Sequence, residues 1–399
     1  MKNPLLRKIL AAGGLTRSGK LMEATAAIQR ALSSVASPPL RRAAVGPVAV
    51  PETEPPRDLT DVLDGFVREV KSNLRAANEA ANEAANEAGD EAGIAEAPVV
   101  VRPAGPRFGA SSFTGAAGTR AFKLFEPAGF DHRPLPLVVM LHGCTQDPDD
   151  FAAGTRMNEL AQEQGFFVLY PAQAPRSNAH KCWNWFSPPD QRRGAGEPSL
   201  LAGMTRHVIE THAIDADRVY VAGLSAGGSM AAILAREYPD LFAAAGVHSG
   251  IAPGAAHDVA SAFMVMKSGP GALRSARPAG ASRLAGAPII VFHGDADTTV
   301  APANGQALIS EALGAEPTAV SEVAGGSDRG RRAYERFVWR RADAPADSPS
   351  LAEHWIVHGS PHAWSGGAPA GSFTDPGGPD ASREMFRFFN EHPGRAQKR

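Results

Sequence analysis

The sequence is poor in cysteine, nearly balanced in charge and free of long apolar runs. Its 399 residues include two cysteines, which excludes a disulfide-rich scaffold and a cysteine-based zinc cluster. The formal net charge of −2 provides no broad basic surface of the kind that binds nucleic acid. No apolar run is long enough to span a bilayer. What remains is a chain with 43% hydrophobic residues, an ordinary composition for a globular protein.

Motifs for metals, phosphates and dinucleotides are missing too. The histidines lack the H-E-x-x-H spacing of a zinc site, and Gly227-Gly228 is not followed by the lysine of a phosphate-binding loop. The Gly-rich fingerprint of dinucleotide-binding folds is absent as well. We therefore expect no metal and no cofactor.

The first 96 residues differ in composition from the rest of the chain. We expect a short amphipathic helix within residues 1–35, a Pro-rich linker over residues 36–57, and a helical stretch with an Ala/Asn/Glu repeat over residues 58–96. The repeat lacks large apolar side chains and cannot build a core. This segment is either a loose extension or a docking element for a partner or a polymer granule.

The N-terminus does not have the pattern of an export signal. Lys2 and Arg7 precede a short apolar patch that Gly13-Gly14 interrupts, and Arg17 follows soon after. A signal peptide needs a longer apolar core and a cleavage site with small residues. The sequence therefore favours a cytoplasmic location, with an extracellular one as the alternative.

Residues 97–395 alternate short apolar runs with helical segments. The helix-forming stretches include residues 157–164, 200–211 and 229–237. Short all-apolar strands separated by helices predict a parallel sheet buried on both faces, in the α/β class, with its site beyond the carboxyl ends of the strands. The predicted strands are 137–141, 166–170, 219–222, 243–247, 289–292 and 355–357.

The run from Gly223 to Gly227 predicts a nucleophile elbow around Ser225. The β-branched and aromatic residues 219–222 precede it as a strand, and the helix-forming residues 230–235 follow. The sharp turn leaves no room for side chains at Gly223 and Gly227, and it exposes the serine hydroxyl at the end of the strand. Ser225 is therefore our candidate nucleophile.

An acid and a base follow Ser225 in the chain order of α/β-hydrolases. Asp297 comes shortly after the predicted strand 289–292, and His362 comes after the predicted strand 355–357. A serine hydroxyl is a weak nucleophile at neutral pH, so a neutral imidazole must remove its proton and a buried carboxylate must orient that imidazole. Spacing alone leaves Asp295 as a competitor of Asp297 for the role of the acid.

Three other histidines compete with His362 for the role of the base. His354 stands at the start of the predicted strand 355–357, so we expect it on a strand face. His358 stands at the end of the same strand and is the stronger competitor. His248 follows another predicted strand, where a hydrogen-bonded structural role is expected. The position of His362 in the loop beyond the strand favours it over all three.

An acyl-transfer site also needs N–H groups that stabilise a developing oxyanion. Ala226 follows the nucleophile at the start of the predicted helix, so its N–H is one donor. The loop His142–Gln146, after the strand 137–141, should supply the second, and we choose the N–H of Cys144. A role for Cys144 as a thiol nucleophile is disfavoured because this loop is not an elbow.

Five sequence blocks together resemble the esterase/poly(3-hydroxybutyrate) depolymerase family of the α/β-hydrolase superfamily. The blocks are Leu141–Gln146, Lys181–Phe186, Gly223–Met230, His293–Val300 and His362–Gly367. The resemblance extends over about residues 108–390 and implies a mostly parallel central sheet with helices on both faces. It implies a catalytic triad of Ser225, Asp297 and His362, with Asp297 rather than Asp295 as the acid. It also implies an oxyanion hole at the Cys144 loop.

The same blocks suggest further roles. The resemblance allows a disulfide between Cys144 and Cys182 that would brace the oxyanion loop, whereas a reducing cytosol would keep both as thiols. Aromatic rings within the blocks would either line a substrate groove or pack half-buried. The candidate substrate-binding residues are Gln146, Trp183, Asn184, Trp185 and Trp364.

The activity that the resemblance implies is ester hydrolysis. Family members cleave esters of short-chain hydroxyalkanoate polymers, and their relatives cleave feruloyl or acetyl esters of plant polysaccharides. We therefore expect a serine esterase acting on poly- or oligo(3-hydroxyalkanoates), with a polysaccharide side-chain esterase as the alternative. A third hypothesis makes residues 1–95 a granule- or partner-binding element. The expected partner is an ester polymer or oligomer, and we expect neither nucleic acid nor a membrane span.

Overall fold

A ten-stranded sheet lies at the centre of the fold. The computed structural model describes residues 105–130, 133–270, 286–314, 318–325, 331–345 and 348–394. The strands are β1 (Arg107–Gly115), β2 (Gly118–Glu126), β3 (Leu135–Leu141), β4 (Phe167–Pro171), β5 (Ile214–Leu224), β6 (Ala244–His248), β7 (Ile289–Gly294), β8 (Thr318–Gly325), β9 (Tyr334–Arg341) and β10 (Ala352–Val357). Their spatial order is β1-β2-β4-β3-β5-β6-β7-β10-β9-β8. A second sheet pairs β11 (Trp364–Ser365) with β12 (Thr374–Asp375).

The centre of the large sheet is parallel. The six strands from β4 to β10 in the spatial order run parallel to one another. Every residue of β3, β4, β6 and β7 is buried, as expected for parallel strands covered on both faces. Antiparallel strands extend the sheet at both ends. The prediction of a mostly parallel α/β-hydrolase sheet is confirmed.

Helices cover both faces of the sheet and create two cores. The helices described are α1 (Pro148–Thr155), α2 (Met157–Gln164), α3 (Gly196–Thr211), α4 (Ala226–Glu237), α5 (Val259–Ser268), α6 (Ala303–Leu313) and α7 (Ala381–Asn390). Side chains alternate along β3, so Leu137 and Val139 belong to the core that also contains side chains of α3, α4, α5 and α6. Val138 and Met140 pack with α1, α2 and α7 on the opposite face. Each strand of the centre thus contributes to both cores.

The parallel strands bring distant loops to one edge. Leu224 at the end of β5 pairs with His248 at the end of β6, and Val357 of β10 pairs with Gly294 of β7. The loops that follow β5, β7 and β10 therefore leave the sheet side by side at the carboxyl edge. These are the loops that carry the predicted nucleophile, acid and base.

The predicted helix, linker and repeat of residues 1–96 lie outside the described residues. Within the part of the chain that is described, no helix combines the length and the apolar character needed to cross a membrane. No group of three or more potential metal ligands occurs there either.

Candidate active site

Ser225 occupies a sharp, strained turn between β5 and α4. Its φ of 57° and ψ of −117° lie where only glycine is comfortable, and its N–H donates to the carbonyl of His248 over 2.9 Å. A Cβ on Gly223 would lie 2.4 Å from the carbonyl carbon of Gly227, and one on Gly227 would lie 2.0 Å from the carbonyl oxygen of Leu141. Both glycines are therefore required by close backbone packing, as the elbow motif predicts.

Asp297 lies in the loop after β7 and is held by several donors. Its Oδ2 accepts a hydrogen bond from Nδ1 of His362 over 2.7 Å. Its Oδ1 accepts the N–H groups of Thr299 over 2.9 Å and Val300 over 2.8 Å. Nε2 of His293 donates to the carbonyl of Val300 over 2.9 Å and lies 3.5 Å from Oδ2 of Asp297. The carboxylate is thus fixed on both oxygens.

These donors also set the charge of Asp297. Burial of the carboxyl works to raise its pKa, but hydrogen bonds from His293, His362 and the Val300 N–H hold the pKa well below its usual range. Asp297 therefore remains ionised beside the imidazole of His362. Because Nδ1 of His362 donates to this carboxylate, the neutral ring carries its lone pair on Nε2, as a general base requires.

The two competing residues, Asp295 and His358, pair with each other. Oδ2 of Asp295 lies 2.8 Å from Nδ1 of His358, and Oδ1 accepts the N–H of Gly359 over 2.6 Å. Both side chains are more than 40% exposed, whereas the Asp297 side chain is fully buried. Each of the two acids thus pairs with a different histidine, and only the Asp297–His362 pair is shielded from solvent.

The other two candidate bases are buried and structural. Nε2 of His248 accepts the N–H of Ser365 over 3.0 Å, and its Nδ1 donates to Ser249 Oγ over 3.1 Å. Burial lowers the pKa of His248 to about 3, so this ring stays neutral. His354 lies inside β10, and neither of its ring nitrogens has a hydrogen-bond partner among the described residues. Both histidines support the sheet edge.

The loop after β3 lies against the nucleophile. A Cβ on Gly143 would come within 3.7 Å of the Ser225 Cβ. The Gly143 N–H already donates to Oε1 of Gln146 over 2.9 Å, and the Thr145 N–H donates to the carbonyl of His180 over 2.7 Å. The N–H groups of Cys144 and Ala226 donate no hydrogen bond within the described part of the chain. These two predicted donors are therefore free to receive an oxyanion.

A disulfide ties this loop to the chain that precedes α3. Cys144 and Cys182 are bonded, which rules out the Cys144 thiol as a nucleophile. Gln146 is buried, and its Nε2 donates to Oδ2 of Asp150 over 2.8 Å and to the carbonyl of Ser372 over 3.2 Å. Gln146 therefore holds the shape of the loop rather than offering its amide to a ligand.

The aromatic residues predicted to bind substrate are buried. Trp183 is inaccessible to solvent and donates to the His142 carbonyl over 3.1 Å, while Trp364 is 1% exposed and donates to Ser382 Oγ over 3.1 Å. Trp185 is also buried. The structure thus gives these rings the packing role that the sequence left open, behind the loops of the site.

A buried polar network supports the same loops and has no counterpart in the sequence predictions. Glu197 at the start of α3 accepts the N–H of Asn184 over 2.7 Å and its Nδ2 over 2.9 Å. Gln173 donates to Glu197 and to the Cys182 carbonyl, and accepts from Nε of Arg120 over 3.1 Å. Asn184 therefore positions its own loop. The partners are far apart in sequence, so no local pattern indicates them.

The chain is similar to a protein family and to several known proteins. The model of the family described as esterase PHB depolymerase matches residues 120–332. The chain is 41% identical over 175 residues to poly(3-hydroxyalkanoate) depolymerase C of Paucimonas lemoignei, covering 42% of each chain. It is 35% identical over 140 residues to feruloyl esterase B of Thermothelomyces thermophilus, covering 35% of this chain and 47% of that protein. The chain thus spans less than half the length of these curated relatives.

A solved structure supports the fold independently. The acetyl xylan esterase from Aspergillus awamori aligns over 71% of this chain and 99% of its own, with 21% identity and a TM-score of 0.52. At this identity the likeness concerns the fold alone. The family match, in contrast, extends over more than half of the sequence, from β2 to just before β9, and includes the elbow and the Asp297 loop. The chain belongs to the esterase PHB depolymerase family.

Proposed function

We propose that the protein is a serine hydrolase of carboxylic esters, with Ser225, Asp297 and His362 as its catalytic triad. The observation that carries the proposal is the buried hydrogen bond of 2.7 Å between Nδ1 of His362 and Oδ2 of Asp297. It lies at the same sheet edge as the strained elbow of Ser225. A charged carboxylate, an oriented imidazole and a serine hydroxyl are the three groups that acyl transfer needs, and Ser225 is half-buried at this edge.

In the acylation step, Nε2 of His362 takes the proton of the Ser225 hydroxyl while Oγ attacks the ester carbonyl carbon. The carbonyl oxygen becomes an oxyanion, which the N–H groups of Cys144 and Ala226 stabilise. As the carbon–oxygen bond to the alcohol breaks, protonated His362 gives its proton to the leaving oxygen. An acyl-enzyme on Ser225 and a free alcohol remain.

In the deacylation step, water repeats the attack on the acyl-enzyme. Nε2 of His362 takes a proton from the water, and the oxygen adds to the acyl carbon at the same two N–H groups. The bond to Ser225 Oγ then breaks, and His362 returns the proton to the serine. Asp297 keeps its charge throughout and stabilises the imidazolium that forms twice per cycle.

The substrate class that we propose is a short-chain poly- or oligo(3-hydroxyalkanoate). It is supported by the 41% identity to a protein named poly(3-hydroxyalkanoate) depolymerase C. The alternative is a feruloyl or acetyl ester on a polysaccharide, supported by the 35% identity to a feruloyl esterase B. Both classes share the reacting ester and differ in the groups around it, so one triad serves either.

The test is hydrolysis by the wild-type chain, Ser225→Ala and the control Ser310→Ala, whose serine is exposed on α6. We expect Ser225→Ala to lose roughly 10⁴-fold or more of kcat, and the control to keep the wild-type rate. The wild-type kcat/KM values decide between the two substrate classes. The substrates compared are 3-hydroxybutyrate trimer, methyl ferulate and acetylated xylo-oligosaccharide. Undiminished turnover in Ser225→Ala would overturn the triad.

We also propose that residues 97–395 form the catalytic domain and that residues 1–95 dock the protein on polymer granules. The support for the docking role is the amphipathic pattern of the sequence near its start. Co-sedimentation with polyhydroxybutyrate granules tests this role. It compares the full chain with a chain that lacks residues 1–95. Equal binding of both chains would eliminate it, and equal turnover of the trimer would support the domain boundary.

A further inference from the structure

Phe373 combines a strained backbone with an exposed aromatic ring. Its φ is 52°, in the left-handed region where bulky side chains are unfavourable and glycine or asparagine is comfortable. The residue is nevertheless 43% exposed, so burial of the ring does not compensate for the strain. A strained residue of this kind persists where its surroundings determine the conformation, which is common at functional sites.

One side of Phe373 is fixed to the oxyanion loop. The preceding residue, Ser372, donates its N–H to Oδ1 of Asp150 over 2.8 Å and its hydroxyl to Oδ2 over 2.6 Å. The carbonyl of Ser372 accepts Nε2 of Gln146 over 3.2 Å, and Oε1 of Gln146 accepts the Gly143 N–H over 2.9 Å. The Gln146 side chain therefore links Ser372, next to Phe373, to Gly143, next to Cys144, through two hydrogen bonds.

The other side of Phe373 is fixed to the loop of the candidate base. The Phe373 carbonyl accepts the N–H of Trp364, two residues after His362, over 2.7 Å. Asp375, in β12, accepts the hydroxyl of Ser360 over 2.6 Å, two residues before His362. The short strands β11 and β12 pair in parallel at this point. Phe373 therefore stands between the segment that holds the base and the segment that holds the oxyanion donor.

The same type of strain occurs at other residues of this site. Thr145, next to Cys144, has a φ of 68°, and Ser225 has a φ of 57°. Of the non-glycine residues with positive φ that the structure describes, Phe373 alone is aromatic. The chain thus retains a large, partly exposed apolar ring on a segment that is hydrogen-bonded to both the loop of Cys144 and the loop of His362.

We propose that Phe373 is a specificity-determining residue whose ring contacts the apolar part of the ester beyond the reacting carbonyl. This role depends on the proposed ester hydrolysis at Ser225, and it specifies which esters that site prefers. An aromatic face buries the methylene and methyl groups of an acyl or alcohol chain, and this contact grows with chain length. Acetyl esters are too short to gain much from it, so the ring shifts preference toward longer esters.

The experiment compares Phe373→Ala and Phe373→Gly with the wild type on p-nitrophenyl acetate and p-nitrophenyl hexanoate. The matched control is Val320→Ala, an exposed apolar residue on β8 at the far end of the sheet. We expect both Phe373 variants to lose about tenfold in kcat/KM for the hexanoate, chiefly through KM, and less than about twofold for the acetate. The control variant should leave the ratio of the kcat/KM values for the two substrates unchanged.

Phe373→Gly separates substrate contact from folding. Glycine fits the left-handed conformation, so this variant should melt no lower than Phe373→Ala and still lose the preference for the hexanoate. A wild-type ratio of hexanoate to acetate in both variants would overturn the proposal while leaving the triad intact. Loss of all turnover only in Ser225→Ala, with an altered ratio in the Phe373 variants, would support both. A wild-type chain with no esterase activity would instead remove the proposed function on which Phe373 depends.

Ethyl hexanoate and hexyl acetate then locate the contact. The two esters are isomers, and the long chain is on the acyl side in the first ester and on the alcohol side in the second. The Phe373→Ala variant should lose kcat/KM for only one of them, because a single ring in contact with the substrate lies on one side of the reacting carbonyl. Equal losses on both esters would overturn a direct contact.

Discussion

Three buried histidines lie around the candidate site and stay neutral. Burial lowers the pKa of His248 to about 3 and the pKa values of His142 and His354 to about 4. His142 donates from Nδ1 to the Gly143 carbonyl over 2.7 Å and accepts the Gln173 N–H at Nε2 over 3.1 Å. Protonation would destroy the acceptor role of such a ring, so these side chains link pH to the stability of the sheet edge.

We predict that acid destabilises the protein through these histidines. In the unfolded chain a histidine has a pKa of about 6.5. The folded pKa values are lower, so the unfolded chain binds more protons between about pH 4 and 6.5, and stability falls as the pH drops through that range. Each histidine contributes up to about 1.4 kcal/mol per pH unit. Urea unfolding at several pH values from 5 to 7.5 measures this slope.

The variant His354→Leu is the control for this prediction. Neither ring nitrogen of His354 has a hydrogen-bond partner among the described residues, so leucine removes a titrating group without breaking a hydrogen bond. The slope of unfolding free energy against pH should fall by about a third, since one of three contributing groups is gone. An unchanged slope would mean that the acid sensitivity arises elsewhere.

We predict that Gly305→Ala destabilises the protein, although alanine is the better helix former. In an exposed helix interior this change stabilises by about 0.5–1 kcal/mol. Gly305 is buried in α6, where a Cβ would lie 2.6 Å from Nε2 of His354 and 3.2 Å from Nδ1 of His293. Overpacking of this kind typically costs about 1–3 kcal/mol, measured as a lower unfolding free energy in urea.

The matched control is Gly109→Ala, in strand β1. No atom lies within 4 Å of the Cβ position at Gly109, so the substitution meets open space. We expect a change within about 0.5 kcal/mol there. A Gly305→Ala variant as stable as the wild type would show that the two imidazoles move apart freely.

At the scale of elements, the loop between β3 and α1 depends on its attachment to the chain before α3. The Cys144–Cys182 disulfide and the hydrogen bond from Thr145 to His180 are two attachments of this loop. In the proposed oxyanion hole, the free N–H of Cys144 must point at one position in space, and that direction depends on a fixed loop. The hydrogen bond from the Trp183 indole to the His142 carbonyl also supports the loop.

We predict that loss of the disulfide lowers kcat more than it raises KM. The variant Cys144→Ser/Cys182→Ser should lose about tenfold or more in kcat, because the loop donor becomes mobile when charge develops on the substrate. Turnover of p-nitrophenyl butyrate with and without dithiothreitol measures the effect. The reductant should slow the wild type to the rate of the double variant and leave the double variant unchanged. Full wild-type activity with both thiols titrated as free would contradict the role of the disulfide.

The sequence predicts those elements whose own residues form a recognisable pattern of apolar and polar side chains. Strands such as β3 and β7 are unbroken apolar runs, because both faces of a parallel strand are covered. Strand β9 escapes prediction, since its residues Tyr334–Arg341 include four charged side chains and most are only half-buried. The pattern also selects Ser225, Asp297 and His362 as candidates, because each follows a strand end, but spacing cannot separate Asp295 from Asp297. That distinction comes from burial, which depends on distant parts of the chain.

At the scale of the molecule, Glu353 connects the antiparallel end of the sheet to the last helix. The side chain is 1% exposed in β10. It accepts Nε and Nη2 of Arg336 in β9 over 3.0 and 2.7 Å, Nη2 of Arg387 in α7 over 2.7 Å, and Nε1 of Trp355 over 3.1 Å. Burial works to raise the pKa of Glu353, but the two arginines hold the pKa below its usual value. One carboxylate thus joins three elements, away from the proposed chemistry.

We predict that Glu353→Gln lowers the unfolding free energy by about 3 kcal/mol, because it leaves two partly buried arginines without their shared counter-charge. The control Glu384→Gln removes a partner of Arg387 whose side chain is about a third exposed, and should cost about 0.5 kcal/mol or less. Urea unfolding measures both, and kcat on p-nitrophenyl butyrate at a temperature where both are folded should equal the wild-type value. Equal destabilisation by the two variants would contradict a special role for the buried carboxylate. A fall in kcat for Glu353→Gln alone, without lost stability, would instead mean that β10 transmits its position to the His362 loop.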